Sequence, residues 1–416
     1  MSFALKTALE AVKFQVEPLL FDAVTAQIKK IRAENDYHTT SPAIKELSNL
    51  IRRMTGISLS VAFEESATVN ASVYLPDIDR NHPLIQSRMR GYMNNREVLT
   101  MMRKRTLPSL GGSVDTLTGR VDGLYSELEC TINLTTGLLN SASMEHEEIA
   151  AIFLHELGHL MSYFEYIHRT VTTNYALLAV AEAVVGENTT KRIDLIDATS
   201  KRFGYEADRL DVLNTTTSKD VAYSVLITQH IRKTRSELGA NLYDQRGCEH
   251  LADQYAARMG AGTALTTALA KMHRQNPSRY STAGFVLFEG LKIMLVLLST
   301  VVISPLVLIL MLVSYDPTDK IYDDPEARMK RIRNELLGGM KNKALTKERR
   351  TCLQKDLEII DQALKSFNDR RSFYELLYTS FLPGARRQQK HMEHQQELES
   401  LANNELFAKA MNFTLI

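Results

Sequence analysis

The sequence predicts an α+β fold, mostly α, in which a small antiparallel sheet packs on one long helix and a helical accessory region follows. Three observations carry this expectation. Ile57–Phe63, Val69–Leu75 and the run around Ile132–Leu134 are rich in apolar and β-branched residues, as strands are. Helix-period patterns fill most of the stretch from Glu147 to Met272 and return after Glu326. The segment His155-Glu156-Leu157-Gly158-His159 sits deep within a predicted helix that begins shortly after the third strand.

The chain opens with an amphipathic pattern over residues 1–35, within a helical region taken as 1–56. Its charges are dispersed among the apolar residues, so the uninterrupted apolar stretch and cleavage site of a signal peptide are not expected. The first two strand runs, separated by Glu64-Glu65, read as a hairpin. A core region is assigned to 57–283, with a basic insertion at 82–107. Arg88, Arg90, Arg96, Arg103, Lys104 and Arg105 there face the single acid Glu97. A solvated helix face is the expectation for this insertion, and an anionic partner or membrane surface the competing one.

Before the long helix, Ser143 is placed to cap it, and Glu145, Glu147 and Glu148 suit the positive end of its dipole. Further helices are expected at Ser218–Ala240 and Cys248–Met272. An apolar segment occupies 284–315 and a charged helical region 316–416. Within the former, Ile293–Val313 carries no charge, and at ~1.5 Å per helical residue it would cross a ~30 Å hydrocarbon core. Pro305 interrupts the run, so a re-entrant hairpin is the second membrane geometry, and a buried core helix the non-membrane one.

Bulk properties exclude several classes. Lysine and arginine number 50 against 49 acidic residues, so no global field marks a nucleic-acid binder. Three dispersed cysteines, Cys130, Cys248 and Cys352, are unlike a disulfide framework and suit a reducing, cytoplasm-like compartment.

Chemistry concentrates at the helix. Histidines four apart face the same way, so His155 and His159 can share one metal ion while Glu156 reaches its bound water. Catalytic zinc takes three protein ligands. The metzincin pattern fails, because its glycine and third histidine are replaced by Ser162 and Glu165. The thermolysin spacing fails too, because Leu177, Leu178 and Ala179 stand where a glutamate belongs. Of the glutamates between 160 and 260, only Glu249 has an aspartate four residues on, Asp253. On one helix, Glu249 can ligate while Asp253 accepts the free ring N–H of a ligating histidine. Glu206 reads as an ordinary polar position, His250 as structural, and His391 and His394 as a solvated helix.

VNASVYLP (69–76), TINLTTGLLNSASMEHEEIAAIFLHELGH (131–159) and EHLADQYAARMG (249–260) together resemble a gluzincin family. These are the membrane-associated peptidases that include HtpX-like heat-shock proteases and CAAX prenyl proteases. The resemblance implies one Zn2+ held by His155, His159 and Glu249, with Glu156 as general base. It also implies a substrate edge at Ile132, Asn133 and Leu134. The family's later His-Pro element and arginine have a counterpart in DDPEARMKRI (323–332), where Asp324 replaces the histidine and Arg331 is the candidate oxyanion stabiliser. The expected activity is that of a membrane-associated zinc endopeptidase acting on protein or peptide substrates. The alternative is a catalytically weak zinc-containing scaffold that docks partners through its C-terminal helices. The intact Glu156 stands against that alternative.

Overall fold

The computed structural model of the chain describes residue 14 and residues 18–74, 95–103, 112–115, 117–206, 210–238, 245–275 and 325–366. The apolar segment 284–315, most of the basic insertion and the His391–His394 tail lie outside the described residues. The chain divides into two compact units, Met1–Leu265 and Thr266–Ile416.

The first unit begins with α1 (Leu19–Glu34), whose buried residues Leu20, Val24, Ile28 and Ile31 recur at helical spacing and form one apolar stripe. It ends at Asn35, which takes the left-handed conformation (φ 49) that closes many helices. α2 (Pro42–Thr55) starts on a proline, whose missing N–H costs nothing at a helix start. Strands β1 (Ser58–Glu64) and β2 (Ala71–Tyr74) follow. α3 (Asn95–Arg103) is the described part of the basic insertion. It buries Val98, Met101 and Met102 and leaves Arg96 in solvent. A hairpin of β3 (Gly112–Asp115) and β4 (Arg120–Gly123) leads through a 3-10 turn to β5 (Glu129–Thr135).

Two expectations about the sheet are corrected. β1 and β2 do not form a hairpin, because β5 inserts between them in the order β1-β5-β2. The sheet is mixed rather than antiparallel: β1 runs parallel to β5 and β2 antiparallel to it. The reason lies in β5, where Ile132, Asn133, Leu134 and Thr135 are buried in succession. A strand hidden on both faces takes the middle position. β2 and β5 contact the long helix described next, and β1 contacts α2.

The short helix α4 (Thr136–Leu139) is capped by Thr135, whose Oγ1 accepts from Leu138 N at 3.3 Å. α5 (His146–Gly186) then runs for 41 residues, about 60 Å at 1.5 Å per residue. Its N-cap is Glu145 rather than Ser143. Glu145 N donates to Glu148 Oε2 at 2.8 Å, and the Glu145 side chain accepts from the backbone of the same turn. Ser143 instead bonds Ser141 at 2.9 Å.

Beyond His159 the helix enters a second core. There α6 (Thr189–Phe203), the one-turn α7 (Val212–Thr215), α8 (Lys219–Leu238) and α3 pack on it through residues such as Ala176, Val180, Val184, Leu195 and Leu226. Arg192 fastens this annex by donating to Asn214 O at 2.9 Å and Thr216 O at 3.2 Å.

α9 (Gln245–Ala256) continues through a π-helical turn, Ala257–Ala261, to α10 (Gly262–Gln275), which spans the boundary between the units in sequence. In the second unit, α11 (Pro325–Met340) and α12 (Lys347–Ser366) pair through Met329, Ile332, Leu353 and Ile360. Arg333 grips Asp361 with two bonds, of 2.6 and 3.3 Å, and this holds the Asp361 carboxyl below the usual carboxylate range. Among the described residues, no helix is long and apolar enough to cross a membrane.

Gly260 marks the turn after α9. Its φ of 99° is one that L residues avoid, and a Cβ there would strike the ring of Pro18. Gly260→Ala is therefore expected to lower stability by about 1–3 kcal/mol. A fall in the urea midpoint with an unchanged m-value checks this.

Candidate metal centre

Two helices build the site, and each contributes a pair of side chains four residues apart. α5 offers His155 and His159, α9 offers Glu249 and Asp253, and the i, i+4 spacing puts both members of each pair on one face. The helices meet at Gly158. A Cβ on Gly158 would lie 2.8 Å from Ala252 Cα, 2.9 Å from Ala252 O and 3.1 Å from Tyr255 Cβ. Only glycine allows the two backbones this close, and the facing pairs come into contact as a result.

The geometry is compact. The Nε2 atoms of His155 and His159 are 3.2 Å apart, with ring centroids at 4.7 Å and planes at 82°. Glu249 reaches both rings: Oε2 lies 3.3 Å from His155 Nε2, and Oε1 lies 3.4 Å from His159 Nε2. On the far side of His155, Nδ1 is 2.9 Å from Asp253 Oδ1. His155, Glu156, Glu249 and Asp253 are all buried, whereas the His159 side chain keeps 15% of its surface. The open side of the site therefore lies toward His159.

His155, Glu156 and His159 each offer one ligand atom within 4.8 Å of the others, so this group can hold a metal ion. The carboxylate of Glu249 comes closer to both rings than that spread requires. A divalent cation between these groups would lower the cost of burying the carboxylates.

Residues 123–300 match the family model of Peptidase family M48. The match takes in His155, Glu156, His159, Glu249 and Asp253 and indicates a metal-dependent peptidase. No curated protein and no solved structure matches the chain.

The remaining predicted residues lie on the central strand of the sheet and on a helix of the second unit. Ile132, Asn133 and Leu134 do not form an edge. They pair with Val61, Ala62 and Phe63 on one side and with Val73, Ser72 and Ala71 on the other. A strand with both ladders occupied has no backbone groups to offer a peptide. Among the described residues, β1 and β2 flank this sheet, and β2 is the flank that contacts α5. Pro76, two residues past β2, was the available signal, since proline favours sheet edges. Arg331 lies on α11 of the second unit, one turn beyond the buried Arg328. Cys130 on β5 is buried, which pushes its thiol up to about 12 and removes it from thiolate chemistry at neutral pH.

Gly158→Ala is expected to force α9 off α5 at a cost of about 1–3 kcal/mol. It should also weaken divalent-metal binding, because Glu249 withdraws from the histidines. A thermal melt paired with a metal titration of the same variant measures both effects.

Proposed function

We propose that this protein is a zinc-dependent endopeptidase in which His155, His159 and Glu249 hold one Zn2+ and Glu156 is the general base. One observation carries the reading. A tetrahedral zinc ion with bonds of about 2.0–2.1 Å holds its ligand atoms about 3.3–3.4 Å apart. The separations among His155 Nε2, His159 Nε2 and the Glu249 oxygens are 3.2, 3.3 and 3.4 Å.

Asp253 supports this assignment from behind. By accepting the Nδ1–H of His155 it would leave Nε2 unprotonated and free to bind a metal ion. When bound, zinc lowers the pKa of a coordinated water toward ~7 and polarises a substrate carbonyl. Glu156, adjacent to His155 and within the same group, takes the proton of the attacking water and passes it to the leaving amine. The substrate is an extended or unfolded polypeptide that adds as a strand to β2, which among the described residues pairs with β5 alone. Main-chain pairing of this kind needs no free terminus, which favours cleavage within a chain.

Membrane association completes the reading and rests on Ile293–Val313, whose uncharged length suits a crossing or a re-entrant hairpin. Free cysteines at Cys130 and Cys352 fit work in a reducing compartment.

Zinc content of the wild type, measured beside His155→Ala and Glu249→Ala, tests the ligand set. Loss in both variants is the expected result, and retention in Glu249→Ala sends the third ligand elsewhere. Glu156→Gln should keep its zinc and lose 10²–10⁴-fold or more in peptide hydrolysis, on the order expected for removal of a general base. Wild-type turnover in that variant would end the proposed mechanism. The membrane reading expects the full chain to stay with the membrane fraction after carbonate washing. Release by carbonate would favour a buried helix for Ile293–Val313.

A further inference from the structure

We infer that α1 is a strap that sets the spacing of the two ligand-bearing helices, with Arg32 as its positioning residue. The inference rests on the reading of His155, His159 and Glu249 as ligands and adds an element that precedes the matched region 123–300.

At its C-terminal end α1 grips the connector between β5 and α5. Arg32 Nη1 donates to Met144 O at 2.9 Å and meets His146 Nδ1 at 3.1 Å, while Nη2 donates to Ser141 O at 3.0 Å. Just past the helix, Tyr37 Oη donates to Asn140 Oδ1 at 2.6 Å. These bonds fix the lead-in to α5 at four residues, Asn140, Ser141, Met144 and His146.

A cation at a helix N-terminus is disfavoured by the dipole. Arg32 is retained there because its planar fork meets several acceptors together, which a lysine ammonium on a flexible stem does less well.

At its other end α1 touches the segment that leaves α9. Pro18, the residue before the helix, packs on Gly260, and α1 contacts the π-helical turn Ala257–Ala261. Between these ends α1 packs against both α5 and α2. The 16 residues of α1 span about 24 Å, so one rigid rod is fastened to the start of one ligand helix and the end of the other.

His146 precedes His155 by nine residues of unbroken helix, about 14 Å. A change in how α5 is seated at His146 is thereby carried to the imidazoles. Glu249 is linked to Gly260 through α9 and the π-helical turn that follows it. The fit of carboxylate to histidines, set locally by Gly158, is thus held globally by α1.

The test uses the full chain and zinc alone as the probe, with affinity read by competition against a chromophoric chelator. Arg32→Met should weaken zinc binding roughly tenfold, the lower end of what outer-shell partners contribute. Far-UV circular dichroism should stay that of a folded chain. Arg32→Lys should restore the charge but only part of the affinity. Leu47→Ala, in the core of α2, should lower the melting temperature without changing zinc affinity, which separates positioning from general stability.

Wild-type affinity in folded Arg32→Met overturns the strap. Should that variant fail to fold, His146→Leu, which removes one acceptor, decides by the same comparison. If His155→Ala binds zinc like the wild type, the ligand reading itself fails, and the strap loses its object.

Discussion

At Gly158 the backbone of α5 approaches Ala252 of α9 so closely that one methyl group would collide. Everything at the site depends on this approach. Each helix presents a pair of side chains four residues apart, and the two pairs face one another across the contact. His155 meets Glu249 on one ring edge and Asp253 on the other, so a single imidazole is held from both sides. His159 meets only Glu249 among these acids and looks toward the open side. A slightly wider separation of the helices would pull the buried side chains of His155, Glu249 and Asp253 away from one another, a costly outcome.

How much of this was legible in the sequence follows from how local each feature is. The facing pairs were readable because i, i+4 geometry is a property of any helix, and Glu249 was the one glutamate of its region with an aspartate at that spacing. The close approach at Gly158 was also foreseeable, since a glycine within a helix otherwise only weakens it. Strand order was not. Neighbours in sequence suggested a β1–β2 hairpin, but the four consecutive buried residues Ile132–Thr135 required a strand with neighbours on both sides. Moving β5 to the centre transfers the candidate edge to β2. The helix cap shifted for a similar reason: Glu145 and Glu148 satisfy each other reciprocally, whereas Ser143 finds Ser141. Nothing local to Arg32 announces that its partners lie more than a hundred residues away.

α5 belongs to two cores. Its first turns pack against the sheet and α9, and its last turns against α3, α6 and α8. The sequence between the two facing side-chain pairs is therefore not slack. It extends the histidine-bearing helix, reverses through α6 and α7, and returns along α8, with Arg192 pinning the reversal by bonds to Asn214 and Thr216. Because the rod is continuous, the annex and the site share one element and are expected to lose structure together.

The separation of the two facing side-chain pairs along the chain has a consequence for synthesis. A ribosome produces the strap, the sheet and both histidines well before Glu249 and Asp253 exist. Until α9 has emerged and folded onto Gly158, the nascent chain lacks the two acids that face the histidines, so the cluster of His155, His159, Glu249 and Asp253 can assemble only once most of the first unit has been made.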